Sequence, residues 1–238
     1  MSGTVENDLE QFYRLLSMLD ALPNQGLPLR DLPGSRQITD QGVYFFRELG
    51  EMWLESLPRV VRVGTHGVSA GAKANLRSRL KRHLGNRSGG GNHRGSIFRR
   101  HVGEALLVKE NHTIPTWGKG YGAPPELKAS PSALAAEAAW ERKVSEHIGA
   151  MTVLWVHVPD EPSATNMRAF IERNAIALLS NKRFPSAPCS DSWLGRYSPT
   201  EEIRESQLWN INHVNEHYDR SFLSAFEKAV ALTCSAIR

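Results

Sequence analysis

The chain has 238 residues, 40% hydrophobic and 23% charged, with a formal net charge of +4. This composition suits one large globular domain, or a core with extensions at both ends, and argues against a disordered or fibrous chain. No apolar run of about 18 residues suggests a membrane span, and the acidic N-terminus lacks the basic stretch of a secretory leader. Cys189 and Cys234 show no metal-ligand spacing and read as reduced thiols of a cytoplasmic protein.

Helical spacing of Leu9, Phe12, Leu15, Leu16 and Leu19 predicts a helix over residues 5–22, stopped by Pro23. A connector follows to about residue 40. GVYFF at 42–46 is expected to be a buried strand, and RVVRVGT at 59–65 a second one. The stretch between them is expected to form a long hairpin loop. Leu76, Leu80 and Leu84 mark a helix from Ala72 to Leu84, ended by Gly85. SGGGN at 88–92 reads as a loop, and Ser96 as the cap of a helix through IFRRHVGEALLV. Residues 111–132 read as an insertion loop and 133–149 as a helix. TVLWVHV at 152–158 is expected to be a strand, and Thr165 or Asn166 to open a helix through NMRAFIERNAIALLSN. A last helix is expected from about 219 to 236. The fold class is thus α/β, with a small three-stranded sheet in the order β-β-α-α-(inserted α)-β-α.

Charge is uneven along the chain. Between Glu55 and Glu104 there are 11 Lys and Arg and not one Asp or Glu, while the rest of the chain is net acidic. Such a block, set on one face, attracts polyanions by counterion release. The alternative is a solvated basic surface.

Several residues suit phosphodiester hydrolysis, which needs a positioned water, a proton acceptor, a cation on the phosphate and a metal for developing charge. The Tyr44 phenol on an apolar strand can orient or deprotonate a water; a core tyrosine with a satisfied hydroxyl is the plainer reading. Arg79 and His83 are four residues apart and share a helix face. An arginine there can present its planar fork to a phosphate, or be an ordinary surface arginine. Glu172 is the one acid that suits a metal ligand, since Mg2+ takes one or two carboxylates and fills its sphere with water and phosphate; otherwise it is a solvated glutamate paired with Arg168 or Arg173.

GVY on the first strand, RVGTH on the second, LRSRLKRHLG on the next helix and FIERNAIALLSN on the last resemble the GIY-YIG nuclease superfamily over about residues 41–182. Residues 1–40 and 183–238 would then be extensions, with an insertion at about 109–150. The resemblance implies a DNA endonuclease in which Tyr44 stands at the nucleophilic water, Arg79 at the phosphate, His83 one turn later, and Glu172 holds a single Mg2+ or Mn2+. RNA stays open as substrate, a homodimer is compatible with it, and restriction or phage defence suits a nuclease of this size.

Further substrate-binding candidates are Lys73, Lys81, Arg82, Asn92, His93, Arg94, Ser96 and Arg99, whose cations, amides and hydroxyls can grip phosphates. One departure stands out: the second signature tyrosine falls at Arg62, which can bind phosphate instead. The family often has an asparagine downstream of the glutamate, and both Asn181 and Asn210 qualify. A non-catalytic nucleic-acid-binding protein on the same scaffold is the alternative. His213-x-x-Glu216-His217 matches a zinc-peptidase pattern, with little chain left for a third ligand.

Overall fold

The computed structural model describes residues 2–32, 38–54, 56–67, 74–86, 88–119, 130–161, 163, 166–185 and 187–236. Helix α1 (Ser2–Asp20) buries the expected stripe Leu9, Phe12, Leu15, Leu16 and Leu19. The strands are β1 (Leu27–Pro28), β2 (Gly42–Trp53), β3 (Leu57–Gly64) and β4 (Thr152–His157). Helices α2 (Leu76–Leu84), α3 (Ile97–Lys109) and α4 (Pro131–Ala150) precede β4. After it come α5 (Met167–Leu179), α6 (Glu201–Ser206) and α7 (Phe222–Ala236).

The sheet is antiparallel with strand order β1-β4-β2-β3. It has four strands rather than three, because the Leu27–Pro28 pair adds to β4 opposite Val153 and Thr152. The expected long hairpin loop is also corrected. β2 runs on to Trp53, so only residues 54–56 connect it to β3. Two register shifts, after Phe46 and after Arg47, let β2 carry Glu48, Gly50 and Glu51 without losing its pairing.

Alternation along the strands gives two buried faces. Val43, Phe45, Val60, Val63, Leu154 and Val156 face one way and pack with α1, α5 and α7. There Phe12 stacks on Phe226 at 5.0 Å and meets Phe45 edge-on at 5.7 Å. Tyr44, Phe46, Val153 and Trp155 face the other way, against Leu76 and Leu80 of α2, Phe98 and Val102 of α3 and Trp140 and Val144 of α4. Helices therefore cover both sides of the sheet, and residues from both ends of the chain share the first core.

β3 is the outer strand, and its free edge is closed by residues 209–210. Trp209 N–H donates to the Val61 carbonyl at 2.7 Å. The Asn210 amide accepts from Val63 N–H at 3.0 Å and donates to the Val63 carbonyl at 2.9 Å. This satisfies an edge that would otherwise offer unpaired backbone groups to another strand. No helix among the described residues is long and apolar enough to cross a membrane.

Candidate active site

The site begins with the pairing of β2 and β3. Tyr44 stands opposite Gly64, and Phe46 opposite Arg62, so all four share one sheet face. A Cβ on Gly64 would lie 2.2 Å from the Tyr44 hydroxyl and 2.3 Å from its ring, so the phenol lies directly across this glycine. Gly42 is equally confined, since a Cβ there would meet the Val156 carbonyl oxygen at 2.1 Å. The glycines of the GVY and RVG segments are thus explained by close approach.

α2 brings the next residues. Asn75 caps it in a reciprocal capping box with Ser78, so it starts at Leu76 rather than Ala72. Lys73, expected at this end, lies outside the described residues. Leu76, Leu80 and His83 face the core. His83 Nε2 and the Tyr44 hydroxyl are 2.8 Å apart, and His83 Nδ1 is 2.9 Å from Ser96 Oγ. Ser96 caps α3 as expected, its Oγ accepting Arg99 N–H at 3.3 Å. Burial, followed by the charges of Arg62, Arg79, Arg99 and Arg82, holds His83 well below the usual histidine range, so it is neutral near pH 7. A neutral imidazole has one donor and one acceptor nitrogen. If Nδ1–H donates to Ser96, Nε2 is free to accept the Tyr44 proton. Tyr44 and His83 are both fully buried.

Arg79 sits one turn before His83, half-buried, with its Nε buried and without a partner among the described residues. Glu172 approaches from α5, which packs on the opposite sheet face through Ile171 and Ala175. Its carboxylate turns to the end of β3 and accepts the Thr65 N–H at 3.1 Å. It therefore binds the residue next to Gly64, over which Tyr44 lies. Burial pushes the Glu172 carboxyl up; Arg62, His213, the Thr65 amide and Arg79 pull it down. Arg62 and Arg79 thus stand close enough for their charges to act on both His83 and Glu172. Tyr44, His83 and Arg62 thus belong to one sheet face, while Glu172 comes from the helix on the other face and bonds the strand end at Thr65, one residue past the glycine that Tyr44 covers.

Other candidates sit elsewhere. Arg99 is completely buried and forms an ion pair with Glu141 at 2.5 Å. It also donates to the carbonyls of His83 and Leu84 at 2.8 and 3.0 Å. It fastens the end of α2 to α4 and is not free to grip a phosphate. His93 is buried against Glu141, 2.9 Å from Nδ1, and stacks on Trp117. Arg94 makes a two-pronged ion pair with Glu137 at 2.7 and 2.8 Å. Asn92 is exposed and caps a short turn by accepting Arg94 N–H at 3.0 Å. Asn181 spends both ends of its amide on the Ala187 backbone. Lys81 and Arg82 are exposed on α2 as expected.

The basic block is therefore less uniform than its sequence suggests. Arg59, Arg94, Arg99 and Arg100 are paired with Glu51, Glu137, Glu141 and Glu104. The cations that carry no ion pair to a described residue cluster on α2 (Arg77, Arg79, Lys81 and Arg82), together with Arg62. The His213–His217 segment is not helical. His213 contacts Glu216 at 2.8 Å, and His217 contacts Arg183 at 2.7 Å. Among the described residues no group of three or more His, Cys, Asp or Glu is arranged to hold a metal, so the peptidase pattern has no scaffold.

One contributor was not singled out in the sequence: Thr65 supplies the amide that anchors Glu172. Ser96, expected to cap its helix and grip a phosphate, does cap the helix, but its hydroxyl meets His83. Thr65 lies within RVGTH, so its place was marked, but a backbone N–H leaves no trace in residue type.

The GIY-YIG domain family model matches residues 4–236. The chain belongs to this family of nucleases, whose members act on nucleic acid and typically use a divalent metal. No curated protein and no solved structure matches the chain.

Proposed function

We propose that the chain is a divalent-metal-dependent endonuclease that hydrolyses DNA phosphodiester bonds, acting in restriction or phage defence in the cytoplasm. The observation that carries this reading is the Tyr44–His83–Ser96 hydrogen-bond chain one helical turn from Arg79, whose Nε has no partner among the described residues, with Tyr44 lying across Gly64 and Glu172 bonded to the next residue, Thr65. Residues 41–182 would be the nuclease core, with 1–40 and 183–238 as extensions built against it.

Each side chain has a role in this reading. Tyr44 orients the attacking water, and its own hydroxyl proton is shared with neutral His83. Ser96 fixes the His83 tautomer by taking Nδ1–H. Arg79 offers its unused guanidinium N–H groups to the charge that develops on the phosphate. Glu172 would hold the Mg2+ or Mn2+. The fit is sound: one carboxylate oxygen accepts the Thr65 amide, the other has no hydrogen bond among the described residues, and a single carboxylate suffices for Mg2+ completed by water and phosphate. When bound, the metal supplies charge stabilisation and lowers the pKa of a water. The exposed α2 cations would hold the DNA backbone.

The test is incubation of the purified protein with duplex DNA, single-stranded DNA and RNA, with Mg2+ or Mn2+ and with EDTA. Metal-dependent cutting of DNA is expected. Binding without cutting of any substrate favours the non-catalytic alternative, for which the Arg62 replacement is the best support.

A further inference from the structure

Among the described residues five arginines are more than nine-tenths buried: Arg47, Arg59, Arg62, Arg99 and Arg168. Four of them have a carboxylate at ion-pair distance, namely Asp20, Glu51, Glu141 and Asp160. Arg62 has none among the described residues. Its Nη1 donates to the Trp209 carbonyl at 2.5 Å. Its guanidinium carbon lies 4.6 Å from the centre of the Phe98 ring. Its Nε is buried with no partner. Desolvating a cation costs several kcal/mol unless a close anion offsets it; the nearest help for Arg62 is the more distant Glu172 carboxylate, on which its charge acts, and among the described residues it is the one such arginine without a carboxylate in direct contact. The position matters equally. Arg62 shares the sheet face of Tyr44, and its charge, with that of Arg79, acts on His83 more than any other.

We propose that Arg62 and Arg79 form a two-guanidinium receptor for the scissile phosphate, in which Arg62, at the place of the second signature tyrosine, contributes a positive charge that a hydroxyl lacks. The proposal rests on the nuclease reading above. Phe98 and the Trp209 carbonyl pre-orient the Arg62 fork from two sides, so little side-chain entropy is lost on binding. The phosphate then provides the direct anionic partner that Glu172, acting on Arg62 only at a distance, does not. Arg62 also donates to the segment that closes the β3 edge, so the 183–238 extension helps aim the receptor.

The experiment uses the full chain with Arg62→Gln, Arg62→Lys and Arg62→Tyr, each checked by thermal melting. Gln keeps a donor for the Trp209 carbonyl but removes the charge, and Tyr restores the family signature. Binding to a duplex oligonucleotide is measured in EDTA across a salt series, and cleavage with Mg2+ under single turnover. For Arg62→Gln and Arg62→Tyr the slope of log K against log salt should shrink by about 0.9, the contribution of one phosphate contact. Their cleavage should slow by on the order of 100-fold, as when one transition-state donor is removed. Arg62→Lys should keep the slope and lose less rate. A wild-type rate for Arg62→Tyr would overturn the proposal, because the charge would then be dispensable. So would an unchanged salt slope in a folded Arg62→Gln. If the native chain cuts no substrate, the nuclease reading fails; the slope measurement still reports whether Arg62 meets a phosphate.

Discussion

Gly64→Ala is the sharpest perturbation of the site, because it adds one methyl group where the Tyr44 phenol lies. The glycine is required there by space rather than by backbone conformation. The new Cβ would stand 2.2 Å from the hydroxyl, whereas carbon contacts settle at about 3.5 Å or more, so the ring must retreat by roughly 1.3 Å. Tyr44 is fully buried and bonded to His83 at 2.8 Å, so retreat breaks that bond. Overpacking costs about 1–3 kcal/mol, and leaving the buried hydroxyl or imidazole unmet adds about 1–3 kcal/mol. A total near 3 kcal/mol lowers the melting temperature of a chain of this size by roughly 6–12 °C. Displacing the phenol by about 1 Å should slow cleavage by about 100-fold. Differential scanning fluorimetry and single-turnover cleavage read the two effects. The methyl cost should largely vanish in a Tyr44→Ala background, which frees the space. A Gly64→Ala protein that melts and cuts like the native chain would refute the packing argument.

Further outcomes follow from the same geometry. His83 is depressed in the folded chain and titrates near 6.5 when unfolded. Stability is therefore intact above about pH 6.5 and falls as pH drops below it, by at most about 1.4 kcal/mol per pH unit for this group. Chemical denaturation between pH 7.5 and 5 should show a shallower fall for His83→Gln, and an identical fall would contradict the assignment. Asn210→Ala leaves the N–H and carbonyl of Val63 unmet, costing about 2 kcal/mol. Because Val63 adjoins Gly64, the change should slow cleavage as well, whereas Asn181→Ala should affect urea stability alone; equal rates for the two variants would show that the Asn210 clamp on β3 does not bear on the site. In the native chain, DNA binding should weaken with salt at a slope near −3.6 if the four α2 cations meet phosphates, or near −4.5 if Arg62 joins them. A slope near −8 would mean that the four carboxylate-paired arginines also bind.

Much of the frame was legible in the sequence because local rules and tertiary packing agree there. The α1 leucine stripe, the Ser96 and Asn166 caps and the apolar run of β4 each specify their element. Tyr44, His83 and Glu172, the residues of the proposed site, stand out in the sequence because family order and residue chemistry coincide there. The extension of β2 to Trp53 was hidden, since Glu48, Gly50 and Glu51 read as loop residues when their partners are unknown. Glu51 is buried only because Arg59 and Ser190 meet it. β1 is two residues long and carries no periodicity. The basic block misled in part, because Glu137 and Glu141, which neutralise Arg94 and Arg99, lie more than 40 positions away in sequence. A run free of acids need not be free of ion pairs. Asn210 was visible only as a candidate, because the strand edge it closes is a tertiary feature.

The central claim is that Glu172, held on the Thr65 amide beside Tyr44, works with a divalent metal to cut DNA. Comparing the native chain with Glu172→Gln on one duplex substrate, with Mg2+ for cleavage and EDTA for binding, tests it most directly. Gln can still accept the Thr65 N–H, so the fold should hold. The native chain should cut, and Glu172→Gln should bind the same DNA without cutting it. Full cleavage by Glu172→Gln would contradict the site assignment.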